Sequence, residues 1–213
     1  MTVMRSYGQN CALAKSLDVI GDRWTLLIVR ELMIRDGCRY TDLRNGLPGI
    51  ATNLLAERLS ELEKAGLVTR EAAPPPIATT LFRLTQRGKE LEPVIAALGR
   101  WGAPLLTGNA GKDEFCDHWV ILPLRLYVRD KSPRERPVRI GLRAGKELVT
   151  VETVGDGSVR VESGRAPNPD AAIEGTPQQI LALLTGKASL ADAQAKGLRY
   201  EGDVKVVRRF AGR

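Results

Sequence analysis

The chain of 213 residues is long enough for one large domain or two small ones, and its 43% apolar and 27% charged residues are typical of a globular protein. No segment approaches the roughly 18 uncharged apolar residues of a membrane helix. The N-terminal residues lack the apolar core of a signal peptide, and three cysteines are too few for a disulfide framework. These properties predict a cytoplasmic protein without a membrane segment.

The net charge of +7 favours a polyanionic partner. Both halves of the chain share this positive charge, and neither contains a basic tail or a block of like charges. Charge alone therefore does not locate a binding surface.

The first half of the chain has apolar residues at helical spacing and predicts four successive helices. The predicted helices span residues 11–20, 23–35, 42–47 and 52–65. Asp22 and Thr41 are expected to cap the second and third helices, and Pro48-Gly49 separates the third helix from the fourth. The inner face of the fourth helix is expected to carry Leu55, Leu59 and Leu62.

Two short strands and a last helix follow. The strands cover residues 67–71 and 80–85, and the loop between them contains Pro74-Pro75-Pro76, which cannot donate ladder hydrogen bonds and favours a stiff tip. The last helix spans about residues 87–106, with a kink or a later start because of Pro93. This order of elements is that of a winged helix-turn-helix.

The second half alternates apolar and polar residues, and the change of period near residue 107 coincides with a small polar segment, Thr107–Asp113, that is expected to be a linker. Strands are predicted over 125–129, 138–143, 147–154 and 158–162, with hairpin turns at 144–146 and 155–157 and helices over 176–184 and 188–195. The sequence therefore predicts an α+β protein. Its N-terminal winged helix-turn-helix domain would cover residues 1–106, and a C-terminal α+β sheet domain would cover residues 113–213.

The fourth helix is the one that enters the major groove in a helix-turn-helix, and its first turns reach base edges. Asn53 can bind adenine with two hydrogen bonds, Thr52 can contact a phosphate or a thymine methyl group, and Ser60 lies on the same outward face. Further candidates for phosphate contacts are Arg39, Arg44 and Arg83. The alternative is that Thr52 and Asn53 only cap the helix and that the arginines are solvated. Double-stranded DNA is the predicted partner.

An enzyme is not predicted. His118 is the only histidine, and Cys116 with His118 could supply two metal ligands, but no second pair stands at metal-binding spacing. The sequence contains neither a nucleotide-binding loop nor a Gly-x-Ser-x-Gly elbow. It therefore predicts no catalytic residue, no metal site and no cofactor.

Several segments resemble HxlR-type bacterial transcriptional regulators, over roughly residues 8–102. They are the run from Cys11 to Leu32, Tyr40-Thr-Asp-Leu-Arg, Leu47-Pro-Gly-Ile, the run from Asn53 to Val68, and Leu84-Thr-Gln-Arg-Gly-Lys-Glu-Leu. The resemblance implies a homodimer, joined through the first and last helices of this half, that binds an inverted repeat and regulates nearby genes. Ala51 replaces the serine often found at the start of the recognition helix, and the wing tip lacks the basic residue that many members carry.

The resemblance also implies a role for Cys11. Some members of the family sense electrophiles or oxidants through a cysteine near the amino terminus, and Cys11 aligns with it. A thiol in the first turn of a helix feels the helix dipole and ionises more readily. The alternative is a small, partly buried hydrophobe, which the lack of a basic neighbour in sequence favours. Cys38, in an exposed-looking loop, is the candidate redox partner.

The end of the chain resembles the C-terminal part of the sterol carrier protein type 2 fold, from Pro169-Asp-Ala-Ala-Ile-Glu-Gly to Gly197-Leu-Arg-Tyr-Glu-Gly-Asp. In its lipid-carrying members that fold encloses an apolar tunnel between sheet and helices, which implies a small apolar ligand here. The residues that could line such a pocket are Leu181, Leu184, Leu190 and Tyr200. The alternative is a filled core. The alternative function is a lipid or small-molecule carrier that uses the winged helix only for dimerisation.

Overall fold

The computed structural model describes residues 6–35, 37–73, 79–106 and 114–210. The chain divides into two units, Met1–Glu114 and Phe115–Arg213. The predicted linker and the three wing prolines lie outside the described residues. Within the described ranges, no helix has the length and apolar character needed to cross a membrane.

The first unit contains helices and a small antiparallel sheet in the predicted order. Its elements are α1 (Ala12–Ile20), α2 (Thr25–Ile34), β1 (Cys38–Arg39), α3 (Tyr40–Asn45), α4 (Thr52–Lys64), β2 (Val68–Ala72), β3 (Thr80–Leu84), α5 (Gln86–Lys89) and α6 (Glu92–Gly102), with a 3-10 turn over Ala103–Leu106. The strand order is β1-β3-β2, and β1, which the sequence pattern did not predict, places Cys38 opposite Phe82. Helices α3 and α4 with the β2–β3 hairpin form the predicted winged helix-turn-helix.

Helix α2 begins later than predicted. Trp24 has a left-handed backbone conformation (φ 78°) and stands at the N-cap, so the helix starts at Thr25. Asp22 was expected to be the cap, but its carboxylate lies 3.1 Å from Arg58 Nη1 on α4. The prediction of an Asp22 cap is therefore wrong, because the side chain forms an ion pair with another helix.

The third and last helices also differ from prediction at their starts. Helix α3 begins at Tyr40, where Asp42 Oδ2 accepts a hydrogen bond of 3.0 Å from the backbone N–H of Arg39; Thr41 is therefore not the cap. The predicted helix over 87–106 is divided into α5 and α6. Pro93 lies in the first turn of α6, where its missing N–H leaves no helical hydrogen bond unmade.

The second unit is a five-stranded sheet with helices. Its elements are a 3-10 turn (Asp117–Val120), α7 (Ile121–Tyr127), β4 (Arg139–Ala144), β5 (Glu147–Thr153), β6 (Val159–Ser163), β7 (Ala171–Gly175), α8 (Pro177–Leu184), α9 (Leu190–Ala195), β8 (Arg199–Gly202) and α10 (Val204–Phe210). The strand order is β6-β5-β4-β7-β8, in which only the β4–β7 pair is parallel. The predicted hairpins and both predicted helices are confirmed.

The predicted strand over 125–129 is wrong. Residues up to Tyr127 belong to α7, and Ile121, Leu124 and Val128 are fully buried. Their spacing of three and four residues is helical, and it outweighs the short alternation within Arg125-Leu-Tyr-Val-Arg.

A buried ion pair attaches α10 to the segment that precedes β4. Arg209 donates hydrogen bonds from Nε to Asp130 Oδ1 (3.1 Å) and from Nη2 to Asp130 Oδ2 (2.8 Å). Arg209 also donates to the carbonyl oxygens of Ser132 and Arg136 at 3.0 and 2.8 Å. Burial raises the pKa of Asp130, but hydrogen bonds from Arg209 and from the Ser132 N–H outweigh that effect and leave the pKa below its usual value.

We expect Arg209→Met to destabilise the second unit by about 3–5 kcal/mol at neutral pH, because it leaves the Asp130 carboxylate buried without its charged partner. The pKa of Asp130 is lowered in the folded state. The ion pair therefore makes its full contribution to the free energy of unfolding above the pKa that Asp130 has in the unfolded chain. This contribution is lost as the pH falls through the pKa that Asp130 has in the folded state. The difference between variant and parent should therefore shrink in acid. Hydrogen exchange of the β4 and β5 amides measures the free energy of opening of this unit.

The matched control is Arg136→Gln, which removes the exposed ion pair of Arg136 Nη2 with Asp170 Oδ1 (2.7 Å). Arg136 is 74% exposed in its side chain, so the loss should stay below about 1 kcal/mol. Equal losses in the two variants would contradict the role given to the buried pair.

Candidate DNA-binding face

The first turn of α4 is exposed on the side opposite the core. Leu55, Leu59 and Leu62 are 0%, 1% and 2% exposed and fix the inner face of the helix. Thr52 and Asn53 are exposed, and Ser60, two turns further along, is half-buried. Two of the three predicted base-contacting side chains are therefore accessible at the amino end of α4.

Tyr40 holds this turn against α3. Its hydroxyl donates a hydrogen bond of 2.6 Å to the carbonyl oxygen of Thr52. The bond joins the first residue of α3 to the first residue of α4, so the two helices are linked across the turn between them. Tyr40 was not among the predicted site residues, although it opens the Tyr40-Thr-Asp-Leu-Arg segment on which the family resemblance partly rests.

The amino end of α4 has no side-chain cap. Its N-cap is Ala51, which has an extended backbone and no side-chain acceptor. The first N–H groups of a helix have no partner within the helix, and they carry the positive end of its dipole. The amino end of this 13-residue helix is thus suited to a phosphate oxygen, next to Thr52 and Asn53.

Arg39 and Arg44 lie at the two ends of α3, the helix that precedes α4. Both are exposed, and within the ranges that the structure describes neither forms an ion pair. Arg39 stands at the N-cap of α3 and Arg44 in its last turn. An exposed arginine without a carboxylate partner can bind a phosphate without first breaking an internal bond.

Two other arginines of the unit are occupied by contacts within the protein. Arg83 Nε lies 3.2 Å from Glu71 Oε2 on the neighbouring strand. Its guanidinium also covers Gly37, where a Cβ would lie 2.9 Å from Arg83 Cζ. Arg58 pairs with Asp22 and is only 15% exposed in its side chain. Arg83, a predicted phosphate contact, is therefore less available than Arg39 or Arg44.

The cysteines differ from their predicted environments. Cys11 precedes α1 as its N-cap and is exposed, so it is neither inside the helix nor partly buried. The backbone N–H groups of Ala14 and Leu13 lower the pKa of its thiol. Cys38 was expected in an exposed loop, but it is buried in β1, and desolvation raises the pKa of its thiol to about 12.

Large apolar side chains are exposed on α1, on α6 and in the turn that follows α6. On α1, Leu13 and Leu17 are one turn apart, and Leu13 is 68% exposed. On α6, Leu98 and Trp101 are three residues apart, and Trp101 is 75% exposed. Leu105 in the following turn is also exposed. The two helices predicted to join the protomers thus each present more than one large apolar side chain to solvent, whereas α2 exposes Leu27.

The second unit places the predicted pocket residues in two kinds of environment. Leu184 is fully buried, whereas Leu181, Leu190 and Tyr200 are half-buried. The Tyr200 hydroxyl donates a hydrogen bond of 2.7 Å to the carbonyl oxygen of Asp203. These residues belong to α8, α9 and β8, on the side of the sheet that the helices cover.

Cys116 and His118 flank the start of the first 3-10 turn of the second unit, and His118 is buried. Among the residues that the structure describes, no group of three or more His, Cys, Asp or Glu side chains could hold a metal ion.

Comparison with known proteins gives matches that centre on the first unit. The model of the HxlR-like helix-turn-helix family matches residues 19–109. The HTH-type transcriptional regulator YvaP of Bacillus subtilis is 33% identical over 87 residues, which are 41% of this chain and 80% of YvaP. The regulator YodB of the same organism is 30% identical over 106 residues, 49% of this chain and 84% of YodB. A solved structure of reduced YodB has a TM-score of 0.41 over 46% of this chain and 97% of its own.

The α3–turn–α4 pair and the β2–β3 hairpin define the first unit as a winged helix-turn-helix domain. The family match lies entirely within that unit. The chain belongs to the HxlR-like helix-turn-helix family and is a DNA-binding transcriptional regulator. The second unit lies beyond the part that the family model covers.

We expect Cys11 to react with iodoacetamide at least about tenfold faster than Cys38 in the native protein at neutral pH, because only the thiolate is nucleophilic and Cys11 is exposed with a lowered pKa. Its rate should rise with pH at a lower midpoint than in the urea-unfolded chain. Mass spectrometry of the labelled peptides measures each rate separately. Two results would contradict an exposed Cys11 thiol with a lowered pKa. One is that Cys11 at low pH reacts no faster in the native protein than in the unfolded chain, and the other is that it reacts more slowly than Cys38.

Proposed function

We propose that the regulator binds an inverted-repeat operator as a homodimer, with α4 in the major groove and Asn53 reading a base. The observation that carries this proposal is the exposed first turn of α4, which Tyr40 links to α3. At the two ends of α3, Arg39 and Arg44 form no ion pair within the described ranges. Asn53 can form two hydrogen bonds with adenine, and Thr52 can contact a phosphate or a thymine methyl group. Ser60 lies further along the same helix and would contribute at the edge of the contact.

The phosphate contacts are assigned to Arg39 and Arg44, with Arg83 as a weaker third. Each arginine that neutralises a phosphate releases counterions, so affinity falls as salt concentration rises. Arg83 would have to exchange its Glu71 partner for a phosphate, and its contribution should be smaller.

Asn53→Ala should weaken binding by about 1–3 kcal/mol on a duplex selected from a random-sequence library, with little effect on a scrambled duplex, because only base contacts distinguish the two.

Arg44→Gln should weaken binding to both duplexes and reduce the salt slope by about one. Fluorescence anisotropy at several salt concentrations measures both effects.

The matched control is Arg87→Gln on α5, whose side chain is exposed and paired with Glu90. It also removes one positive charge, but at a site away from α4, so the DNA affinity and the salt slope should stay unchanged. Equal losses for Asn53→Ala on both duplexes would remove Asn53 as a base contact. A parent protein without measurable DNA affinity would instead favour the small-molecule carrier.

The homodimer is proposed from the apolar surface of α1 and α6. Monomeric proteins rarely expose large contiguous apolar patches, and such patches mark interaction sites. The periodic spacing of Leu98 and Trp101 places both on one side of α6. A dimer formed through these helices would give a two-fold arrangement of two α4 helices, which matches an inverted repeat.

Trp101→Glu should raise the dimer dissociation constant by more than about tenfold, since a buried tryptophan at an interface contributes about 2 kcal/mol or more. The side chain is exposed in the single chain, so the fold should remain intact. Sedimentation velocity measures the association. Val154→Glu, an exposed apolar residue of the second unit, is the control and should remain dimeric; a monomeric parent protein would contradict the proposal.

A redox role for Cys11 is supported by its exposure and by the two backbone N–H groups that lower its pKa. The rate at which Cys11 reacts with iodoacetamide tests whether its thiol is accessible and ionised. Cys38 is a poor partner within one chain, because its thiol is buried and has a raised pKa.

We infer for the second unit a fold like that of sterol carrier protein type 2. The order β7, α8, α9, β8 supports this inference, since it is the strand, helix, short helix and strand of the resemblance. A small apolar ligand between sheet and helices stays a prediction, with Leu181, Leu184, Leu190 and Tyr200 as its contacts. Leu184 would have to move to admit the ligand, because it is fully buried.

A further inference from the structure

The face of the second sheet opposite α8 contains a depression of about 690 Å³. Its floor includes Gly141 and Ala172, which lie opposite each other in the β4–β7 pair. One wall is the segment 165–169, which connects β6 to β7 across the intervening strands. The predicted pocket residues Leu181, Leu184, Leu190 and Tyr200 do not line it.

Two features keep this depression open and hold its wall in place. Ala172 has only a methyl side chain, so the floor is low at this position, whereas Gly141 has no side chain and lets the wall approach β4 closely. A Cβ on Gly141 would lie 3.4 Å from Ala166 Cβ and 3.6 Å from Pro169 Cβ, which shows that the wall packs directly on β4. Pro167 and Pro169 restrict the backbone of the wall.

The charged side chains that line the depression are unequally paired. Arg199 Nη1 lies 3.8 Å from Glu174 Oε2. In the described part of the chain, Arg143 and Arg165 form no ion pair, and Glu201 is the only other acidic residue of the lining. The charges of Arg199 and Glu174 cancel. The charged groups that remain in the lining are the guanidinium groups of Arg143 and Arg165 and the carboxylate of Glu201, so the depression has a net positive charge.

Apart from the amide of Asn168 in the wall, the remaining side chains of the lining are apolar. Leu148 lies on β5, and Ala166, Pro167 and Pro169 belong to the wall. A ligand that complements this surface carries one negative group for the arginines and a compact apolar body for the proline wall and Leu148. Guanidinium groups bind carboxylates through paired, parallel hydrogen bonds. The volume lies within the range of about 300–1,000 Å³ that is usual for small-molecule sites.

We propose that this depression binds a small organic carboxylate with an apolar body, held by Arg143 and Arg165. The proposal is independent of DNA binding and of the apolar ligand between sheet and helices. It uses the opposite face of the sheet, and it requires a charged ligand.

The test uses the full-length chain and isothermal titration calorimetry with 2-naphthoate as the probe. The neutral 2-naphthamide, which has the same apolar body, should bind at least about tenfold more weakly, since a hydrogen bond to a charged group contributes about 1.5–3 kcal/mol. Arg143→Gln and Arg165→Gln should each weaken naphthoate binding by a similar factor. Ala172→Leu should abolish binding by filling the floor.

The matched control is Arg160→Gln on β6, which removes an exposed arginine of the same sheet face that does not line the depression. Its affinity for naphthoate should stay within about twofold of the parent. The proposal is overturned if naphthoate does not bind at millimolar concentration, or if the amide binds equally well. Binding that survives both arginine substitutions and Ala172→Leu would place the probe elsewhere and overturn it as well. Circular dichroism confirms that each variant is folded.

Discussion

Burial of the Leu55, Leu59 and Leu62 face is the interaction on which the first unit depends. These three side chains are almost fully excluded from solvent, and each buried leucine contributes about 1.5–3 kcal/mol of hydrophobic stabilisation. Because they fix the rotation of α4 about its own axis, they also decide that Thr52 and Asn53 face outward. The Tyr40 hydrogen bond then fixes the start of the helix against α3. The residues proposed to contact DNA thus lie on the face of α4 opposite the buried leucines.

The proposed binding surfaces are identified by the pairing of charges rather than by the number of charges. A net charge of +7 is spread over both halves of the chain and does not identify a surface. In the first unit, carboxylates occupy Arg58, Arg70, Arg83 and Arg87, whereas Arg39 and Arg44 beside α4 have no described partner. The second unit repeats this contrast: Arg209 is buried with Asp130, and Arg143 and Arg165 remain free at the edge of a depression. In both units the main proposed anion contacts are exposed arginines that form no ion pair within the described ranges.

Strong periodicity made much of the fold predictable from the sequence. Helix α4, the wing strands and strands β4 to β6 agree with prediction within a residue or two, because their apolar spacing is regular over several turns or pairs. Short or competing signals failed: β1 has two residues, and the alternation of 125–129 was outweighed by the helical spacing of α7. Asp22 could not be recognised as an ion-pair partner, since Arg58 is distant in sequence. The same limit applies to Cys38, which is buried by β3, and to the Gly141–Ala172 floor, which exists only once β4 and β7 are paired.

The most direct measurement of the central claim is selection of binding sites from a random-sequence duplex library with the parent protein and Asn53→Ala. The parent protein should enrich an inverted repeat whose half-sites are centred one helical turn, about 10 base pairs, or a multiple of it apart. Asn53→Ala should lose preference at one position in each half-site and retain the spacing, because the dimer contacts are untouched. A single asymmetric motif, or a site whose sequence is the same for both proteins, would contradict it.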